Sequence, residues 1–259
     1  ADQRVHAFLL LRRLVDRDDV AATAARHCDF YLGIAKAAKA QLEGPQQAEW
    51  TRRLEIELDN LRAALRWAVE EAPGLGLELA EALEPLWVRG QRHREGLRWL
   101  EPLLTAATDA PADVLAGALA LAGRLSGELG DLDRARPLHE RALALAREAG
   151  DDRRAAWALH GLGDVARQQG ELNLARELLE ESLALFVALG ELGPAGGRLS
   201  YLATVATEQG DMVAARSYWE ASRDQYAAAG DRAGVAGSIH GLGDIALRTG
   251  DADGALTHY

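Results

Sequence analysis

The sequence predicts an all-α fold: a right-handed superhelical solenoid of helix–turn–helix repeats with a 40-residue period, behind an N-terminal helical segment. Three observations predict it. Gly130, Gly150, Gly170, Gly190, Gly210, Gly230 and Gly250 stand 20 residues apart, each followed by Asp or Glu. The segments between them alternate in character, so the period is two segments; Ala135-Arg136, Ala175-Arg176 and Ala215-Arg216 recur at 40 residues. His160-Gly161-Leu162-Gly163-Asp164 returns 80 residues later as His240-Gly241-Leu242-Gly243-Asp244. A fixed period of this length is the mark of stacked supersecondary units, each burying its apolar face against its neighbours.

Taken in order, residues 1–73 read as an N-terminal helical linker region and 74–259 as the repeat array. Ala1 to Arg17 reads as one helix and Val20 to Leu42 as a second, closed by Gly44-Pro45. Gln46 to Glu71 reads as a single helix, because Trp50, Leu54, Leu58, Leu61, Leu65 and Ala68 form one apolar stripe at helical steps. Pro73-Gly74 breaks it. Leu75 to Arg89 and Arg92 to Ala107 form a degenerate first unit, 74–111, hinged at Gly90. Pro85 and Pro102 conflict with its helices, since an interior proline costs about 3 kcal/mol or a kink. The units 112–151, 152–191, 192–231 and 232–259, the last truncated, follow the glycine ladder. Helix pairs fall near 112–129 with 132–149, 152–169 with 172–189, 192–209 with 212–229, and 232–249 with 252 onward. Each glycine suits the left-handed residue that ends a helix; the acidic residue after it suits the start of the next.

The formal net charge of −11 argues against a nucleic-acid-binding surface on this fragment, which needs a basic face. No apolar run is long enough for a membrane span. The single cysteine, Cys28, excludes an internal disulfide, fits a cytoplasmic location, and reads as a buried helical residue. The start at Ala-Asp-Gln-Arg and the end in mid-unit suggest a piece of a longer protein.

In unit 152–191, Leu159, Leu162, Gly163, Ala166, Gly170, Ala175, Leu179 and Ser182 alternate large and small residues in a pattern that resembles the tetratricopeptide repeat. Leu199, Leu202, Ala203, Ala206, Gly210, Ala215, Trp219 and Ser222 repeat it. The unit departs from that family in being 40 residues long and in placing Ala166 where an aromatic is usual. Gly163 and Ala175 would mark a close approach of two helices. Upstream, Trp50 to Trp67, with Arg26-His27, Phe30-Tyr31-Leu32, Trp87-Val-Arg-Gly90 and Glu95-Gly-Leu-Arg-Trp-Leu100, resembles a stretch of bacterial STAND-class regulators (LuxR- or SARP-type transcription factors). This covers roughly Ala21 to Thr105. The resemblance implies an ATPase core and winged helix elsewhere, and an array that senses a small molecule or protein and relays it. No Gly-x-x-x-x-Gly-Lys-Ser/Thr occurs here, so no nucleotide or other cofactor is expected.

No catalytic motif is present: there is no Gly-x-Ser-x-Gly, no His-Glu-x-x-His and no zinc spacing, so neither an enzyme nor a metal site is expected. The candidate chemistry lies on the first helix of each unit, expected to line the concave groove of the array. Off the packing stripe stand Arg124; Trp157, His160, Asp164 and Arg167; Ser200, Thr204 and Thr207; His240 and Asp244. His160 with Asp164, and His240 with Asp244, are i,i+4 neighbours, and Trp157 lies one turn below His160. An aromatic platform with hydrogen-bonding arms suits a small-molecule or peptide effector. The same His–Asp pairs also suit an ordinary solvated surface, worth a few tenths of a kcal/mol. Trp50, Trp67, Trp87 and Trp99 read as packing residues. The expected partners are therefore the effector, the remainder of the parent ATPase regulator, or, alternatively, proteins held on a plain scaffold. Self-association through the truncated last unit is a further expectation.

Overall fold

The computed structural model describes residues 17–41 and 46–258, so the expected helix over 1–17 and the Gly44-Pro45 break lie outside the described residues. The described residues form helices joined by short turns, without a strand, in a TPR-like solenoid fold. Contacts divide the chain into two compact units, Ala1–Leu125 and Ser126–Tyr259.

The first unit holds α1 (Arg17–Gln41), α2 (Gln47–Ile56), α3 (Leu58–Glu71), α4 (Pro73–Ala82), α5 (Glu84–Val88), α6 (His93–Ala106) and α7 (Ala112–Glu128) as far as Leu125. Helix α1 packs on α3 and α4, and α6 on the same pair. Leu54, Leu61, Leu65, Leu77, Leu83, Trp87 and Leu100 form its core, and Cys28 is wholly buried. The Trp87 indole donates to the Ala80 carbonyl at 3.0 Å, and Gly96 admits the ring: a β-carbon there would sit 2.9 Å from Trp87 Cγ. Two expected helices are interrupted. The stripe over 46–71 breaks at Glu57 (φ −89°, ψ 5°), whose carboxylate accepts from Tyr31 Oη and Asn60 Nδ2, both at 2.7 Å. The helix expected over 75–89 breaks at Leu83, so Pro85 falls in the first turn of α5, where its missing N–H costs no bond. Pro102 does remain inside α6. The first turn also departs from expectation: Gln91, not Gly90, takes the left-handed conformation (φ 53°), and Arg92 N–H closes the helix end on Trp87 O at 2.8 Å.

The second unit follows the ladder closely: α8 (Leu132–Glu148), α9 (Asp152–Gln168), α10 (Leu172–Ala188), α11 (Leu192–Glu208), α12 (Met212–Ala229), α13 (Arg232–Arg248) and α14 (Ala252–His258). All seven ladder glycines have φ between 66° and 82°, a region costly for any side chain. The residue after each glycine then acts twice. Its N–H returns five residues to close the preceding helix, as Asp151 to Ala146 O (2.8 Å) and Glu191 to Phe186 O (3.0 Å). Where it is Asp, its carboxylate also caps the next helix: Asp131, Asp151 and Asp211 accept from the N–H three residues on, and Asp231 from Ala233 and Gly234. The longer Glu171 and Glu191 side chains make no cap.

Each first helix packs on the second helix beside it through complementary volumes. A β-carbon on Gly163 would approach Leu179 Cγ to 2.8 Å and the Ala175 carbonyl to 3.4 Å, the expected close approach. Gly161 faces the buried ring of His139, and Gly241 faces Trp219. At the intervening position stands Tyr201, packed on a cluster that contains the smaller Leu179. The 80-residue recurrence of His-Gly-Leu-Gly-Asp thus tracks rings on the preceding helix.

Candidate functional site

Within the second unit, the first helices of successive repeats, α9 and α11, are joined along one face by pairs 41 residues apart. Arg198 lies over the Trp157 ring at 4.6 Å, the rings of His160 and Tyr201 meet edge-on at 4.5 Å, and Arg167 Nη1 donates to Glu208 at 2.9 Å. The spacing is one residue more than the 40-residue repeat, so each α9 side chain meets the α11 residue that follows its repeat equivalent. Trp157 is 36% exposed while Arg198 is only 5% exposed. The guanidinium also lies 5.2 Å from the Phe186 ring, whose edge meets Trp157 at 5.4 Å. An arginine desolvated between two aromatic faces is held by the ring quadrupoles, about 2 kcal/mol in such settings. Trp157 and His160 stand 6.1 Å apart, the expected one turn on a common face.

The expected His160–Asp164 pair does not form. Asp164 instead accepts from Arg167 (3.0 Å) and Gln168 (2.8 Å), since a guanidinium three residues on offers two donors to one carboxylate oxygen. Burial disfavours the Arg167 cation, but Asp164 and Glu208 together raise its pKa above the ordinary value. On α11, Ser200 donates to Gly196 O (3.1 Å), Thr204 to Ser200 O (3.1 Å) and Thr207 to Ala203 O (2.8 Å), so these hydroxyls are turned onto their own helix. Ser200 Oγ also meets Ser222 Oγ at 2.8 Å, and Ser222 reaches Gly196 O and Ser238 Oγ. His240 and Asp244 on α13 lie 3.9 Å apart and are largely exposed. Arg124 falls in the first unit, where Glu84 binds it at 2.6 Å. The structure therefore brings Trp157, His160, Asp164 and Arg167 into one face with residues of α11.

Sequence reasoning missed two members of this face, Arg198 and Tyr201, and two second-helix residues that pack behind it, Phe186 and Tyr226. Tyr226 packs against Gly196 and Gly234, with its hydroxyl near Gly197. Burial raises its phenol pKa, against the opposing influence of Ser200 and the Arg198 charge. A signal for Arg198 does exist: the same repeat position holds Ala158 before it and Ser238 after it. Among the described residues no three His, Cys, Asp or Glu side chains converge as a metal site. No helix of the described residues is long and apolar enough to cross a membrane.

The tetratricopeptide repeat family model matches residues 114–186. Proteins of Mycobacterium tuberculosis and Mycobacterium bovis named "Putative HTH-type transcriptional regulator" are 34% identical over 137 residues, 49% of this chain but 15% of theirs. Among solved structures, a Rap protein complexed with Competence and Sporulation Factor superposes with TM-score 0.66 at 10% identity, covering 92% of this chain and 75% of that one. BtubC (BKLC) from P. vanneervenii gives 0.62 at 18% identity, over 80% and 86%. Pseudomonas aeruginosa pilF gives 0.59 at 17%, over 91% and 90%. At these identities the structural likeness speaks for the fold. Glycine ladder, helix pairing and structural likeness agree on an all-α, TPR-like solenoid fold, within which residues 114–186 are similar to the tetratricopeptide repeat.

Proposed function

We propose that this chain is a non-catalytic sensor and interaction region of a bacterial STAND-class transcriptional regulator, in which the first-helix face of the array binds an effector and relays the event to an ATPase elsewhere in the parent protein. The Arg198–Trp157–Phe186 stack carries the reading. It fixes an exposed indole beside His160 and Tyr201, a rigid aromatic platform with polar arms of the kind that binds small molecules and peptides. The mycobacterial relatives named as HTH-type regulators support the setting; the chain spans 15% of their length. Because α9 and α11 are tied through this stack, a ligand that wedges against Trp157 would alter the angle between adjacent repeats.

Isothermal titration against a panel of metabolites and short peptides tests the site. A ligand of the platform should lose at least tenfold in affinity, about 1.4 kcal/mol, on Trp157→Ala, and should weaken on His160→Ala. If every ligand found binds both variants as it binds the parent chain, the platform is not the site. A protein-binding scaffold is the second reading. It is favoured by Ser200, Thr204 and Thr207, whose donors are already used and leave little for a small polar ligand. A stoichiometric protein partner whose binding is insensitive to Trp157→Ala would favour it.

A further inference from the structure

The Ala-Arg motif that recurs at 135–136, 175–176 and 215–216 is not used by the face described above. Its first copy shows what such an arginine does. Arg136 on α8 reaches across to the next turn, where its Nη2 donates to Gln169 Oε1 and to Glu171 Oε2, the latter at 2.6 Å. Forty residues on, Arg176 faces the equivalent pair, Gln209 and Asp211, and the contact is not made. Three differences account for this. Asp133 is replaced by Asn173, whose Oδ1 accepts from Gln209 Nε2 at 3.0 Å and holds that amide. Glu171 is replaced by Asp211, one methylene shorter, whose carboxylate caps Ala214 N–H at 2.9 Å. Leu178 is replaced by Tyr218, whose hydroxyl donates to Glu180, four residues after Arg176, at 3.4 Å.

Arg176 makes no hydrogen bond or ion pair with any described residue. Around it lies an open cleft of about 510 Å³, lined by Gly170, Leu172, Asn173, Arg176, Gln209 and Asp211. We infer that this cleft is a docking point for an acidic side chain of a partner protein: a Glu or Asp supplied in trans would take the place at Arg176 that Glu171 takes at Arg136. The guanidinium fork suits a carboxylate, and the neighbouring Asn173 and Gln209 amides suit the adjoining peptide group. Asp211 also lines the cleft, and its charge disfavours a run of acids there. This site is independent of the Trp157 platform.

The test uses the full 259-residue chain. The probes are acetyl-Gly-Glu-Gly-amide and acetyl-Gly-Gln-Gly-amide at millimolar concentration. The readout is the arginine Nε–Hε resonances, with the Arg176 signal assigned by its loss in Arg176→Gln. The glutamate peptide should shift the Arg176 signal saturably, with at least fivefold higher affinity than the glutamine peptide. Asp211→Glu, which restores the longer internal carboxylate, should weaken binding at least threefold. Equal responses to the two peptides, or shifts spread evenly over Arg176, Arg216 and Arg223, would overturn the inference. So would undiminished binding to Asp211→Glu.

Discussion

Substituting Gly161 by Ala tests the proposal that glycine positions in the array are set by rings on the preceding helix. A β-carbon at Gly161 would lie 2.5 Å from His139 Nε2, well inside any tolerable contact, and His139 is 3% exposed. Overpacking of this kind costs about 1–3 kcal/mol. Alanine recovers about 0.8–1.0 kcal/mol over glycine in a helix interior. The net expectation for Gly161→Ala is therefore a loss of roughly 0–2 kcal/mol, the difference of those two effects. Gly237→Ala supplies the control: it lies in α13 with nothing within 4 Å of the added carbon, so the substitution should stabilise by about 1 kcal/mol. Adding His139→Ala to Gly161→Ala should recover about 1–3 kcal/mol relative to the sum of the single effects. Urea unfolding followed by far-ultraviolet circular dichroism reads the wild type, the three single variants and the double variant, compared at equal m-value because arrays can unfold in stages. If Gly161→Ala raises the midpoint as much as Gly237→Ala, or the coupling to His139 is zero, volume exchange does not determine these positions.

Three other expectations follow from the same contacts. Burial, with the nearby Asp29 charge, pushes the Cys28 thiol up to about 11, so a disulfide reagent at pH 8 should modify the native chain at least a hundredfold more slowly than the urea-unfolded chain; comparable rates would refute its burial. The Arg62 guanidinium, 2.6 Å away, holds the Glu95 carboxyl below its usual range. A carboxyl so depressed stabilises the fold above its unfolded pKa of about 4.3, and loses that contribution as pH falls through the lower folded value. The unfolding midpoints of wild type and Glu95→Gln should therefore differ by a constant amount above about pH 5 and converge toward pH 3; a pH-independent difference contradicts this. Ser182→Ala removes one bond, to Ala156 O at 2.7 Å, and should cost about 1 kcal/mol. Ser222→Ala removes contacts to Gly196 O, Ser200 and Ser238 and should cost about 2 kcal/mol; the reverse order in a denaturation series would refute the hydroxyl network.

Much of the fold could be read from residues that act on their own backbone. A glycine that must be left-handed and an aspartate that caps the next helix are local devices, so the ladder located the helix ends of α8 to α13 to within about a residue. The break at Glu57 was not legible, because the apolar stripe continues through it, whereas the conflict at Pro85 did signal the break that falls at Leu83. What interrupts the first is a tertiary bond, from Tyr31 to Glu57 across 26 residues. On the candidate face, the positions of Trp157 and His160 followed from helical geometry, but their partners did not. Asp164 could turn to His160 or to Arg167, and only the geometry of Arg167, which also reaches Glu208, decides it. Arg198 was hidden because its helix position is a packing position, filled by a cation only because Trp157 and Phe186 supply faces for it.

The ring–glycine pairs also give the array a reading direction. His139 accepts only a unit beginning with Gly161 at its contact, Trp219 only one with Gly241, while Tyr201 rests beside Leu179. Exchanging the units 152–191 and 192–231 would drive the Tyr201 phenol into the His139 imidazole and leave a hole elsewhere. A slip of one unit is therefore forbidden by sterics, whereas a slip of two places like against like. Shuffled, duplicated or unit-exchanged forms of this chain should occur in steps of 80 residues, and variants that add or delete a single unit should aggregate or loosen at the mismatched seam.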